Sequence, residues 1–263
     1  MRIWYQSAVE MTGAGAYREA LERHLARTAD PGTRVEIHGV PSGTWAGRQP
    51  SQLFGCPAVF LAALGPAMLR NAVRAEREGH DAFVIGTYIE PFLRELRSAV
   101  DIPVVSSLEA TLLVGCSTAH TIGLVTLNRP LLWSLTTSLE RHRLGARVGP
   151  ILSMEPELTE REIIGLLAAP GDYLDRFRRI AARAVEAHAD AIIPAEGILA
   201  EAVAAAGITR VDDAAILDGI AIPVAYAEML VRMRRATDLR VGRRWHHAMP
   251  PPEVMDLFVP REG

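Results

Sequence analysis

The chain has 263 residues, 49% hydrophobic and 22% charged, with a formal net charge of −3 and an isoelectric point near 6.3. That is the composition of a globular protein with one large domain or two lobes of roughly 100–150 residues, and no long run of single-sign charge points to nucleic acid or an anionic membrane as partner. All 28 basic residues are arginine, which excludes a lysine Schiff base, lysine-anchored pyridoxal phosphate and a P-loop ending in Gly-Lys-Ser/Thr.

Two cysteines, Cys56 and Cys116, are too few for a disulfide framework or a cysteine-based zinc site. No apolar run approaches the roughly 20 residues of a membrane helix. Met1-Arg2-Ile3-Trp4-Tyr5 is already strand-like, with no apolar leader ahead of it, so a cytoplasmic location is expected.

In chain order, short apolar runs alternate with longer amphipathic stretches. Strand 3–6 is followed by helix 14–28, with Tyr17, Leu21 and Leu25 on one face, then strand 34–40, helix 57–78, strand 82–86, short helix 90–98 and strand 102–106. The second half repeats the rhythm: helix 108–116, strand 121–126, helix 130–144, strand 147–153, one or two helices over 159–187, strand 191–194, helix 198–206, strand 222–225 and closing helix 227–236. Strands separated by helices of this length make βαβ units and mostly parallel sheets.

Four strands followed by four suggest duplication. Gly79-His80-Asp81-Ala82-Phe83-Val84-Ile85-Gly86-Thr87 can be laid on His188-Ala189-Asp190-Ala191-Ile192-Ile193-Pro194-Ala195-Glu196, and Asp101-Ile102-Pro103-Val104 on Ala221-Ile222-Pro223-Val224. In the longer match an Asp opens the strand and a polar residue follows six positions later, making Thr87 and Glu196 equivalent. Ligands of open α/β sheets bind at such carboxyl ends. The expected fold is therefore α/β, with two pseudo-symmetric lobes of four mostly parallel strands each and a cleft between them. One lobe takes 1–106 plus 229–263, and the other 107–228.

These segments, with Ile102-Pro-Val-Val-Ser-Ser-Leu-Glu-Ala, Ile122-Gly-Leu-Val-Thr and Ala189-Asp-Ala-Ile-Ile-Pro-Ala-Glu-Gly, resemble the aspartate/glutamate racemase superfamily, and within it the hydantoin racemases, over residues 1–235. In that family two cysteines face each other across the substrate carbon; one takes the α-proton and the other returns one from the opposite face, with no metal or organic cofactor. Here Thr87 and Glu196 hold the two cysteine places, while Cys56 and Cys116 match neither. A threonine hydroxyl is too weakly acidic to replace a thiolate. A carboxylate, ordinarily near about 4.3, becomes a better base when buried. Symmetric two-thiol racemisation is thus excluded, leaving single-base chemistry on one face or none.

The resemblance makes Glu196 and Thr87 the candidate catalytic residues. Glu196 is the general acid/base or, alternatively, a carboxylate favoured by a helix N-terminus. Thr87 and Tyr88 offer hydroxyls and backbone N–H groups for a substrate carboxylate or carbonyl, or simply cap a helix at Glu90. Gly197 opens the helix after Glu196. Gln6 and Ser7, and Thr126 with Asn128, end strands where the family binds substrate; turn and cap roles are the alternative. Tyr226 takes the place of a family acidic residue, and Arg48, in the long loop 39–56, could pair with a substrate carboxylate. Glu109 reads as a supporting residue paired with an arginine, and Glu90 as a cap of its own helix. His80, His120 and His188 read as junction residues, and Trp245-His246-His247 as part of a lid or subunit contact.

The expected activity is a cofactor-independent, isomerase- or racemase-like proton transfer on a small carboxylate, amide or cyclic ureide. Decarboxylation or hydrolysis through Glu196, or non-catalytic binding of a small ligand, are the alternatives. A small-molecule substrate and association into a homo-oligomer are expected; no metal, nucleic acid or membrane is.

Overall fold

The computed structural model describes residues 1–48, 50, 53, 56–159, 162, 165, 167 and 171–260. In chain order they form β1 (Arg2–Gln6), α1 (Gly15–Thr28), β2 (Arg34–His38), α2 (Pro57–Arg77), β3 (Ala82–Ile85), α3 (Leu93–Ala99), β4 (Val104–Ser106), α4 (Ser107–Gly115), β5 (Ile122–Thr126), α5 (Arg129–His142), β6 (Val148–Ser153), α6 (Tyr173–Glu186), β7 (Ala191–Pro194), α7 (Gly197–Ala205), β8 (Arg210–Val211), β9 (Ala214–Ile216), α8 (Ala221–Thr237) and α9 (Pro252–Phe258). Part of the helix expected over 159–187 and part of the loop 39–56 lie outside the described residues.

The strands make two sheets. The first has the order β2-β1-β3-β4 and is parallel throughout; the second has the order β6-β5-β7-β9-β8 and is parallel except for the β8–β9 pair. The first four positions of each sheet correspond, so the duplicated α/β architecture read from the sequence is present. The correspondence extends to side chains. Asp81 accepts the Arg2 N–H at 2.8 Å and Asp190 accepts the Thr121 N–H at 2.9 Å, each tying the start of one central strand to its neighbour. Gly79 (φ +77°) and His188 (φ +70°) hold the matching left-handed turns ahead of β3 and β7.

Period-2 alternation divides the core. Ile3, Tyr5, Ala82 and Val84 join the large cluster that also holds Ile122, Leu124 and Ile193 of the second sheet, whereas Trp4, Phe83 and Ile85 point to a second cluster under α2 and α3. Burial of each such large side chain contributes about 1.5–3 kcal/mol.

Two expectations are corrected. Residues 222–225 are the first turn of α8, not a strand: Pro223 sits where a helix leaves its N–H groups unpaired anyway, and Asp218 accepts the Ile220 and Ala221 N–H groups at 3.0 Å each. The Ile-Pro-Val match was therefore a coincidence of composition. The strand beside β7 is β9, reached through a tight hairpin with Asp212 at φ +48°. The helix expected at 90–98 starts instead at Leu93, because Glu90 (φ +50°) and Phe92 (φ +61°) flank Pro91 in left-handed conformations.

Helix α8 packs on β3, β4 and α4 as one continuous element, so the expected division at 228/229 falls inside it. Among the described residues no helix is long and apolar enough to cross a membrane.

Candidate active site

The central strands β3 and β7 end at Ile85 and Pro194, and the residues that follow them meet. A narrow cleft is lined by Gly86, Thr87 and Tyr88 after β3, by Ala195, Glu196 and Gly197 after β7, and by Ser7 and Tyr17 from the first lobe. Ala8, Val9, Ile89 and Leu131 supply apolar walls. The two strand ends nearly touch: a methyl group at Gly197 would lie 3.4 Å from the Gly86 carbonyl oxygen and 3.0 Å from the Tyr17 Oη.

Glu196 is the N-cap of α7. Its Oε2 accepts the Ile198 and Leu199 N–H groups at 2.8 and 2.9 Å. The helix-terminal role and a place in the cleft therefore coexist in one side chain: charge-assisted hydrogen bonds fix the carboxylate's position while it remains part of the lining.

Opposite it, Thr87 is half-buried and its carbonyl accepts the Glu90 N–H at 3.3 Å. The chain from Thr87 to Ile89 is a turn and not a helix start, so Thr87 does not cap α3. Tyr88 is buried, with its hydroxyl driven against Gly219 of the other lobe, where even a methyl group would collide. Burial, then the charge of Asp218, pushes the Tyr88 hydroxyl well above its ordinary range. Tyr17 is likewise pushed well up by burial, with Glu196 among the contributing charges, and hydrogen-bonds Ser7. Both phenols stay protonated at any physiological pH.

Of the residues singled out from sequence, Glu196, Thr87, Tyr88, Gly197 and Ser7 converge on the cleft. The others lie elsewhere. Gln6 is fully buried on the opposite face of β1, accepting from Trp4 Nε1 (2.9 Å) and Asn71 Nδ2 (2.8 Å) and donating to the Ser7 carbonyl. Thr126 donates to the Ala195 carbonyl at 3.2 Å, linking β5 to the residue before Glu196. Asn128 caps α5, accepting the Leu131 N–H and donating to the Leu158 carbonyl. Tyr226 sits on α8, away from the lining, with burial and then the charge of Glu109 raising its hydroxyl. Arg48 is exposed in a turn; the loop reaches the cleft through Pro50 instead.

Tyr17 is the lining residue that sequence reasoning assigned to packing alone. Its hydroxyl on the buried face of the first helix, one loop after β1, was the available signal.

Around the cleft, two charged clusters join the lobes. Glu109 pairs with Arg97, as expected, and Glu90 reaches past its own helix to accept the Glu109 N–H at 2.8 Å while contacting Ser106 and His142. Glu90 therefore supports the first turn of α4, whose N-cap is Ser106, rather than capping α3. Burial disfavours the charged form of His142, but the hydrogen bond and charge of Glu90 outweigh it and raise its pKa.

On the other side, His24 of α1 bridges Glu201 (Nδ1 to Oε2, 2.8 Å) and Asp218 (Nε2 to Oδ2, 2.9 Å). Burial opposes its charge, yet the hydrogen bonds of Asp218 and Glu201 overcome that and push its pKa up to about 9. Cys56, exposed ahead of α2, and Cys116, at the end of α4, are both free, and neither contributes to the lining.

A family model matches the sequence of this chain, and solved structures match its fold. The family model for Asp/Glu/Hydantoin racemase matches residues 14–227. Allantoin racemase from Klebsiella pneumoniae superposes with a TM-score of 0.77 at 20% identity, covering 95% of this chain and 94% of that one. Allantoin racemase from Pseudomonas fluorescens gives 0.74 at 19% identity, covering 96% and 98%. Maleate isomerase from Pseudomonas putida S16 gives 0.58 at 15%, covering 91% and 93%. No curated protein matches the sequence. With the family model spanning most of its length, from the first helix to α8, the chain belongs to the Asp/Glu/Hydantoin racemase family.

Proposed function

We propose that this protein is an isomerase that moves a proton at a carbon adjacent to a carbonyl, without a cofactor, using Glu196 as its single base. The observation that carries the reading is the opposition of Glu196 and Thr87 across one narrow cleft, at the positions where the sequence resembles a racemase but lacks both cysteines.

The substrate's C–H faces Glu196, whose carboxylate takes the proton. Electrons of that C–H bond shift toward the carbonyl, and the developing oxyanion is held by the Thr87 hydroxyl and the backbone N–H groups of Thr87 and Tyr88, the contribution expected to lower the barrier most. The proton then returns from Glu196 to the same or an adjacent carbon. For inversion, the planar intermediate presents its other face to protonated Glu196, or takes a proton from water on that face while protonated Glu196 gives up its own proton to solvent, neutralising the hydroxide formed. The apolar walls favour a small, flat substrate, and the two allantoin racemase folds that cover nearly the whole chain favour a cyclic ureide over an open diacid.

The reading is tested by following optical rotation of enantiopure allantoin, 5-substituted hydantoins and small amino acids. Loss of rotation with wild type but not with Glu196→Gln supports it. Loss of rotation at equal rates in both contradicts the role of Glu196, and hydrolytic or decarboxylated products in place of the other enantiomer contradict an isomerase.

A further inference from the structure

At the outer edge of the first sheet, outside the cleft lining, three potential ligands converge. Glu36 and His38 are two residues apart on β2 and so project from the same face, and His80 precedes β3. One ligand atom from each lies within 4.8 Å of the other two. The His80 Nδ1 lies 3.1 Å from the Ala75 carbonyl oxygen. A carbonyl only accepts, so that nitrogen carries the proton, and in the neutral ring Nε2 presents a lone pair. Facing it at 3.3 Å is Glu36 Oε2, also an acceptor. On His38, the Nε2 atom is buried with no hydrogen-bond partner among the described residues. Three potential ligand atoms thus stand together, and with His80 in the neutral Nδ1–H form the Glu36 and His80 atoms facing each other are both acceptors.

We propose that Glu36, His38 and His80 bind one zinc-class divalent ion, with water as the fourth ligand. Ligand atoms about 2.0–2.1 Å from a tetrahedral zinc stand about 3.3 Å apart, which is the separation of Glu36 Oε2 and His80 Nε2. The outer partners fit a ligand set as well. Arg2 and Arg34 hold Glu36 Oε1 at 3.2 and 3.3 Å, turning Oε2 inward. Ala75 fixes the His80 ring, and His38 is stacked on Trp4 with centroids 3.4 Å apart and planes 7° off parallel. Outer contacts of this kind orient metal ligands. The two imidazoles and one carboxylate suit zinc and its neighbours rather than calcium or magnesium. The partly exposed Glu36 gives the ion a way in. Bound there, the ion ties the edge strand β2 to the entrance of β3 across β1.

The test uses the full chain, stripped with a chelator and titrated with Zn²⁺ by calorimetry and with Co²⁺ by visible absorption. The expected result is one equivalent bound to wild type and to the tail variant His246→Ala/His247→Ala, with affinity at least about tenfold lower in Glu36→Gln and in His38→Ala. Zn²⁺ should also raise the melting temperature of wild type and not of Glu36→Gln. Glu36→Gln keeps the size of the side chain, so it distinguishes lost binding from lost folding, which circular dichroism monitors in both variants. Absence of binding to wild type, binding that persists in both variants, or binding that disappears in the tail variant would overturn the proposal.

Discussion

Gly197 and Gly86 lie against each other across the cleft, close enough that one added methyl group at Gly197 would contact the Gly86 carbonyl and the Tyr17 hydroxyl. The two halves of the fold are thus apposed at the positions where each central strand ends, and the space between them is bounded by the Gly86 backbone and the buried Tyr17 hydroxyl. Gly197→Ala should reduce kcat/KM at least about tenfold while changing stability by less than about 1 kcal/mol, since alanine is favoured in a helix. Gly86→Ala should behave differently. Its methyl would lie 2.4 Å from ring atoms of the fully buried Tyr5, and a loss of about 1–3 kcal/mol in stability is expected. Urea denaturation of both variants beside their kinetics checks the pair.

Glu196→Gln keeps an oxygen that can accept the Ile198 and Leu199 N–H groups but removes the proposed base. Its stability should fall by less than about 1 kcal/mol, and its turnover by about 10²-fold or more. Glu196→Ala loses the cap as well and should be the less stable of the two. Equal losses of stability in both variants would show that the cap depends on the charge.

Neither cysteine lines the cleft. The double variant Cys56→Ser/Cys116→Ser should retain wild-type turnover. A large loss of activity in a variant that melts normally would restore thiol chemistry to the mechanism.

His24 makes the lobe contact pH-dependent. Its folded pKa is raised to about 9, from an unfolded value near about 6.5. The stabilisation it provides is therefore complete below about 6.5 and is lost as pH rises through about 9, amounting to about 3 kcal/mol. Wild-type stability should fall relative to that of His24→Gln between these limits, measured by urea denaturation across the range. A constant difference would mean that the His24 bridge to Glu201 and Asp218 does not titrate there.

What the sequence reveals follows from how local each determinant is. The β3 and β7 segments carry apolar runs, an opening Asp and a polar residue at a fixed offset, so Thr87 and Glu196 could be placed on facing strand ends from their order alone. Residues 222–225 mislead because an apolar run with one proline satisfies both a buried strand and the first turn of a helix, and the deciding contact is the Asp218 cap. Strand β9 was hidden by its three residues, too few to show alternation. Gln6, Thr126 and Asn128 sit at or beside strand ends like the cleft residues, but their side chains are consumed by Trp4 and Asn71, by Ala195, and by the caps of α5. Tyr17 needed the packing of α1 over both lobes to become visible as a cleft residue. Glu36 and His38 are separated from His80 by more than forty residues and a crossover helix, and parallel pairing of β1 with both β2 and β3 brings them together.

The central claim is that Glu196 moves a proton at carbon, and proton NMR in D₂O tests it most directly. Wild type and Glu196→Gln are incubated with allantoin, 5-substituted hydantoins, small amino acids and unsaturated diacids. The account predicts that wild type replaces a carbon-bound proton with deuterium in one of these classes and that Glu196→Gln does so at least about 10²-fold more slowly. Equal exchange by the two proteins, or tight binding of a substrate with no exchange at all, would contradict it.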